Sequence, residues 1–129
     1  MEPIRAMPSS SLRDICFDCA DQQRVARFWA EVLGYRSHPI EDPDDPVALD
    51  PPAGGLRIWF NKVPEPKTAK NRVHIDINLP DGAEMDRLLG LGARVLQEIR
   101  DDDGALAWTI MADPEGNEFC AFLPRPDAQ

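Results

Sequence analysis

The length, composition and charge of this sequence indicate a single compact, acidic domain. The chain has 129 residues, 43% of them hydrophobic and 29% charged, and its formal net charge at pH 7 is −9. These proportions are those of an ordinary globular protein, and they exclude a collagen-like, coiled-coil or wholly disordered chain. Because the acidic surplus comes without a Lys/Arg cluster, it argues against nucleic acid and anionic membranes as partners.

No stretch of the sequence has the character of a membrane span or a secretory signal. No run approaches the roughly 18 apolar residues of a membrane helix, and the first residues lack the apolar segment of a signal peptide. We therefore expect a cytoplasmic protein. The cysteines Cys16, Cys19 and Cys120 are odd in number, which favours free thiols over a disulfide framework.

The first half of the chain is predicted to contain a strand, a helix and three further strands. Asp21 is placed to cap the helix, and Gly34 is placed to end it. Between them, apolar residues at i, i+3, i+4, i+7 and i+8 form one stripe. Cys16 and Cys19 lie three apart in the first strand, so their side chains point to opposite faces, too far apart for a disulfide. The apolar stripe consists of Val25, Phe28, Trp29, Val32 and Leu33, and the strands cover residues 12–19, 36–38, 47–50 and 56–63.

The second half repeats this order. A helix begins after Asp81 and ends at Gly92, and its apolar residues have the same offsets from the capping Asp as those of the first helix. We therefore predict an α+β fold of two β-α-β-β-β modules, covering residues 10–63 and 72–124 and joined by a linker at 64–71. The apolar residues are Met85, Leu88 and Leu89, and the strands cover 72–79, 94–99, 106–112 and 117–123.

Period-2 alternation sorts the side chains of the opening strands by face. Polar residues share one face of each strand, and apolar residues are predicted to meet the helix on the other. If the two sheets curl towards each other, the polar faces line a shared cup. The polar residues are Asp14, Cys16 and Asp18 in the first module and His74, Asp76 and Asn78 in the second; the apolar ones are Ile15, Phe17, Val73, Ile75, Ile77 and Leu79.

The duplicated unit is similar to the vicinal oxygen chelate superfamily, and within it to small glyoxalase-like domain proteins of the glyoxalase/bleomycin resistance/dioxygenase type. The likeness covers about residues 10–124. It rests on Leu33-Gly34-Tyr35, its echo in 91–93, the stretch PEPKTAKNRVHIDI at 64–77 and the turn DPEGN at 113–117. The resemblance implies a curved mixed sheet forming a cup that binds a small molecule.

The superfamily typically binds a divalent metal through four inward residues, usually His or Gln, Glu, His and Glu. By resemblance these positions correspond to Asp14, His74, Cys120 and a residue within 56–63, a segment without a carboxylate. His74, Asp14 and Cys120 are therefore the candidate ligands, and they favour Zn, Ni or Fe over magnesium. In the alternative interpretation, His74 only hydrogen-bonds a neighbouring carboxylate and Cys120 is a small buried hydrophobe.

Further residues are predicted to face the cup. Asp14 and Glu118 are the candidate proton-transferring carboxylates. Trp59 either stacks on a planar ligand or plugs the cavity, and Arg72, with the nearby Lys70, is placed to hold an anionic group. The complete set of candidate ligand-binding residues is Trp59, Asn61, Arg72, His74, Asp76 and Trp108.

Three functions are compatible with these residues. The incomplete metal tetrad favours a protein that binds a small organic molecule in the cup. The alternative is a metal-dependent lyase, isomerase or dioxygenase that acts on vicinal oxygens, and a third hypothesis is an accessory regulatory module. The resemblance also implies a homodimer, in which a second subunit can complete the cup.

Overall fold

A computed structural model describes residues 10–124 as ten elements of secondary structure, two helices and eight strands. Each half of the chain runs strand, helix, strand, strand, strand. In chain order the elements are β1 (Asp14–Cys19), α1 (Gln22–Leu33), β2 (Arg36–Ser37), β3 (Val47–Asp50), β4 (Arg57–Lys62), β5 (Asp76–Asn78), α2 (Gly82–Gly90), β6 (Arg94–Arg100), β7 (Leu106–Ala112) and β8 (Glu118–Phe122).

The strands form two four-stranded mixed sheets with the same topology. The first has the order β1-β4-β3-β2 and the second the order β5-β8-β7-β6. In each sheet the opening strand runs parallel to the last strand of its module, and the other pairs are antiparallel. The predicted α+β fold of two β-α-β-β-β modules is confirmed.

Capping residues set the ends of both helices. The Asp21 carboxylate accepts the N–H of Arg24 at 3.1 Å, and Asp81 accepts the N–H of Glu84 at 3.0 Å. Gly34 ends α1 in the left-handed conformation, with φ 67°. The last helical residue of α2 is Gly90, two residues before the predicted end. Within residues 10–124, neither helix is long and apolar enough to cross a bilayer.

The two modules share one hydrophobic core on the helix side of the sheets. Trp29 of α1 and Phe119 of β8 are each 1% exposed, and their rings meet edge to face with centroids 4.9 Å apart. The Trp29 indole N–H also donates to the buried carboxylate of Asp113 at 3.0 Å. The opposite face of each sheet, which we call the helix-free face, lies outside this core.

The opening strand of the second module is shorter than predicted. Strand β5 covers only 76–78, and Val73, expected to meet the helix, is 81% exposed. The register pairs Asp76 with Cys120, and the partner strand β8 begins at Glu118. Residues before position 74 therefore extend past the start of β8, where the chain forms the 113–117 turn and the Asn117 carbonyl is already bonded to the Asp113 N–H. The assignment of Val73 to the core was wrong for this reason.

Candidate functional site

Three side chains with metal-binding chemistry meet on the helix-free face of the second sheet. His74 Nδ1 lies 3.4 Å from Asp76 Oδ1, and Asp76 is paired with Cys120 in the β5–β8 register. One ligand atom from each residue lies within 4.8 Å of the other two. Among residues 10–124 no other set of three or more His, Cys, Asp or Glu residues is grouped in this way. We call these three residues the second-sheet cluster.

The second-sheet cluster combines one buried and two accessible groups. The Cys120 side chain is buried, whereas the His74 and Asp76 side chains are 45% and 56% exposed. Burial and the neighbouring Asp76 carboxylate raise the pKa of the Cys120 thiol. A cation bound at the cluster would therefore displace the thiol proton. Imidazole, carboxylate and thiolate are the ordinary zinc ligands, and three of them leave a position open, so the cluster fits such an ion.

Asp14, the third predicted metal ligand, lies on the first sheet and outside this cluster. Its Oδ2 accepts the indole N–H of Trp59 at 3.0 Å, and Arg13 lies 3.9 Å away. Within residues 10–124, no hydrogen bond or ion pair joins Asp14 to the second-sheet cluster. The structure therefore groups His74 and Cys120 with Asp76. The His-x-Asp spacing at positions 74 and 76 shows from the sequence alone that these two side chains share one face of their strand.

A polar network that sequence reasoning missed crosses the first sheet. Asp50 accepts two hydrogen bonds from Arg57, at 2.6 and 3.1 Å, and its Oδ2 lies 2.6 Å from His38 Nε2. These bonds from Arg57 and His38 lower the pKa of the Asp50 carboxyl to about 2. The Arg57 guanidinium lies 5.6 Å from the centroid of the Trp59 ring. One face of Trp59 is therefore covered by a cation, and its indole N–H is committed to Asp14.

Glu118 is held by cationic and backbone groups at the start of β8. Lys67 Nζ lies 2.9 Å from Glu118 Oε1, and the Asn71 N–H donates to the same oxygen at 3.0 Å. Burial alone would raise the pKa of Glu118, but the Asn71 and Lys67 contacts outweigh it and the net shift is downward. Glu118 is therefore an anion in the neutral pH range and a weaker proton acceptor than an ordinary glutamate.

A groove of about 370 Å³ lies where the modules meet. From the first module it is lined by Cys16 and Asp18 of β1, and from the second by Arg72 and His74 of the segment before β5 and by Glu118. Its volume lies within the range of small-molecule sites. We call it the intermodule groove.

The structure places the remaining predicted ligand-binding residues on two helix-free faces. The side chain of Asn61 on β4 lowers the pKa of the Cys16 thiol, but the stronger effects of burial and Asp14 leave that pKa raised. Trp108 of β7 stacks on Phe122, with centroids 6.0 Å apart and planes at 28°. The β7–β8 register puts Trp108 on the same face as Cys120.

The sequence matches one family model, and the fold matches several solved structures. The family described as "Glyoxalase-like domain" matches residues 14–122. A search of curated proteins finds no match. Similar structures include a hypothetical protein from S. aureus, at 19% identity and TM-score 0.62 over 92% of this chain and 96% of that one. A glyoxalase-related enzyme from Fulvimarina pelagi has 18% identity and TM-score 0.63 over 88% of each chain.

A further similar structure was solved with a metal and a small molecule. It is a mutant of the fosfomycin resistance protein FosX from Listeria monocytogenes, complexed with Mn(II) and 1S,2S-dihydroxypropylphosphonic acid. The identity is 15% and the TM-score 0.67, over 90% of each chain. At such identities the likeness establishes the fold alone.

Proposed function

This chain belongs to the family of glyoxalase-like domain proteins, as its sequence resemblance predicted, and we propose that it binds a small organic molecule in the intermodule groove. The observation that carries the proposal is the lining of this 370 Å³ groove by polar side chains from both modules. A concave site with a few convergent polar groups is the usual form of a small-molecule site.

The charges in the groove indicate which ligand groups would be recognised. Asp18 presents a carboxylate and His74 an imidazole, while the exposed Arg72 presents a cation. A molecule that donates a hydrogen bond to Asp18 and places an anionic or carbonyl oxygen near Arg72 would satisfy these groups. Lys67 is already paired with Glu118, so Arg72 is the cation that we assign to the ligand.

Binding can be tested with a fragment library containing carboxylates, phosphonates and hydroxy-ketones. We expect hits that shift the backbone NMR signals of residues 15–18 and 72–75, and that lose affinity in the Arg72→Gln and Asp18→Asn variants. The control is Asp86→Asn, an exposed acid of α2 outside the groove. Hits that persist unchanged in both groove variants would contradict the proposal.

The second-sheet cluster supports a second candidate function, a metal-dependent lyase, isomerase or dioxygenase. His74, Asp76 and Cys120 would hold a divalent ion such as zinc, nickel or iron. A bound ion supplies a Lewis acid that polarises an oxygen of the substrate. Glu118, one of the two predicted proton carriers, is a weaker base than an ordinary glutamate because Asn71 and Lys67 lower its pKa.

Metal analysis of protein purified without chelator separates the two functions. If the cluster holds an ion, the wild type contains stoichiometric metal, which is lost in His74→Ala and Asp76→Asn. Asp14→Asn is the matched control, because Asp14 lies outside the cluster, and it should retain the metal. A metal-free wild type that does not take up zinc in titration would refute the metal-dependent function while leaving small-molecule binding in place.

We also propose that the protein is a homodimer whose second subunit completes the site. The support is the family resemblance, which implies a homodimer, together with the position of the two polar sets, around Asp14 and around His74, on separate sheets. Within one chain, the modules are joined through the helix-side core instead. Sedimentation equilibrium at micromolar concentration should give the mass of two chains, and a monomer at all concentrations would refute this arrangement.

A further inference from the structure

A second and larger cleft, of about 660 Å³, lies along α1 and is also lined by residues 37–40. It shares no lining residue with the intermodule groove. Its floor is apolar: Phe28 and Val47 are buried, and Ile40 and Leu91 are partly buried against the core. Because Leu91 comes from the second module and Ile40 from the first, the cleft is fixed by the packing of both.

Two arginines of α1, Arg24 and Arg27, border this apolar floor. Both are exposed, and neither guanidinium forms an ion pair with any residue in 10–124. Glu31 would be the ordinary i+4 partner of Arg27. Its carboxylate instead lies 3.2 Å from Arg87 of α2. Within residues 10–124, these two cations beside the apolar cleft therefore have no ion-pair partner, in a protein of net charge −9.

We propose that this cleft, which we call the α1 cleft, binds a small carboxylate with a compact apolar body. The carboxylate would accept hydrogen bonds from Arg27 and Arg24, and the apolar body would cover Phe28, Ile40 and Leu91. Guanidinium groups suit a carboxylate because their N–H donors match its two oxygens. The volume accommodates a body of two fused rings or a branched chain of similar size. This site is independent of the function proposed for the intermodule groove.

The test uses 2-naphthoate and its neutral isostere 2-naphthamide, titrated by calorimetry and by NMR. We expect 2-naphthoate to bind with perturbed signals in residues 24–31 and 37–40. Arg27→Gln should weaken it by about tenfold, the scale of one charge-assisted hydrogen bond, and should leave the weaker binding of the amide unchanged. Ala30→Leu, which places a larger side chain against the cleft, should weaken both probes.

Controls distinguish this site from the other surfaces. Arg94→Gln removes another exposed arginine that lies outside the cleft and should leave 2-naphthoate binding unchanged, as should His74→Ala. The proposal is overturned if 2-naphthoate does not bind, or if its affinity is insensitive to both Arg27→Gln and Ala30→Leu. It is also overturned if Arg27→Gln dissociates an oligomer without affecting the probe, because the occupant would then be a second copy.

Discussion

The hydrogen bond between Trp29 and Asp113 joins residues 84 positions apart in the sequence and ties α1 to the DPEGN turn. Asp113 is fully buried, and both of its oxygens are used. Oδ2 accepts the Trp29 indole N–H at 3.0 Å and Asn117 Nδ2 at 2.9 Å. Oδ1 accepts the backbone N–H groups of Glu115 and Asn117. We predict that this carboxylate stabilises the contact between the modules.

The expected cost follows from the number of donors that lose their acceptor. In Asp113→Asn, the amide keeps one oxygen, and an NH₂ group takes the place of Oδ2. The two donors that Oδ2 accepted, the Trp29 indole N–H and Asn117 Nδ2, then face this NH₂ group. A buried donor without an acceptor costs about 1–3 kcal/mol, and we expect the free energy of unfolding to fall by about 3 kcal/mol. In Trp29→Phe one of those donors is already gone. The double variant should therefore lose about 1–2 kcal/mol less than the sum of the single variants.

Urea unfolding followed by far-UV circular dichroism measures these free energies without depending on tryptophan fluorescence. The control is Asp86→Asn, an exposed position that should change stability by no more than about 0.5 kcal/mol. If the effects of Trp29→Phe and Asp113→Asn are additive to within about 0.5 kcal/mol, the two groups are not coupled and the reasoning fails.

Three further predictions concern charge, reactivity and backbone conformation. The pKa of Asp50 is about 2 in the folded state, against an ordinary value of 3.8. The hydrogen bonds to its carboxylate therefore stabilise the fold fully at pH values above 3.8, and this stabilisation is lost as the pH falls through about 2. The unfolding free energy of Asp50→Asn should therefore vary less between about pH 4 and pH 2 than that of the wild type, and an equal slope would contradict this. Cys16 is exposed and the other two thiols are buried, so native protein should show one thiol that reacts with a disulfide reagent, and none in Cys16→Ser. Because burial and Asp14 raise the pKa of Cys16, the reaction should be faster at about pH 9 than at about pH 8; equal reactivity of a second thiol would contradict the burial of Cys19 and Cys120. Gly92 has φ 113°, a backbone conformation that strains any residue with a Cβ, and an added Cβ would lie 3.3 Å from Pro114. Gly92→Ala should therefore destabilise the fold by about 1–3 kcal/mol, and an unchanged urea midpoint would refute this strain.

The repeat made most of the fold predictable. Each helix has an Asp cap and an apolar stripe, and those local signals depend on residues within one turn of each other. Strands β3 and β7 have the predicted bounds, 47–50 and 106–112. Strand β5 was predicted too long because alternation alone does not show where the partner strand begins. That limit is set by the register of β8, which lies more than 40 residues away.

The candidate site was predictable only in part. The sequence and its family resemblance selected His74 and Cys120, together with Asp14, as candidate metal ligands, and selected Asp76 only as a ligand-binding residue. They did not identify the partners of Asp14 or Glu118, which are Trp59 and Lys67. Both partners are distant in sequence, and a long side chain can reach several acceptors, so spacing gives no preference among them.

The sequence by itself determined the duplicated modules, the starts of both helices and the faces on which most side chains lie, because these follow from caps and periodicities within short segments. Only the tertiary structure decided which polar residues meet. It grouped Asp76 rather than Asp14 with His74 and Cys120, and it left Arg27 without Glu31 by placing Arg87 of the other module closer to that carboxylate. These outcomes depend on strand register and on the contact between modules, both of which are set by the shared core.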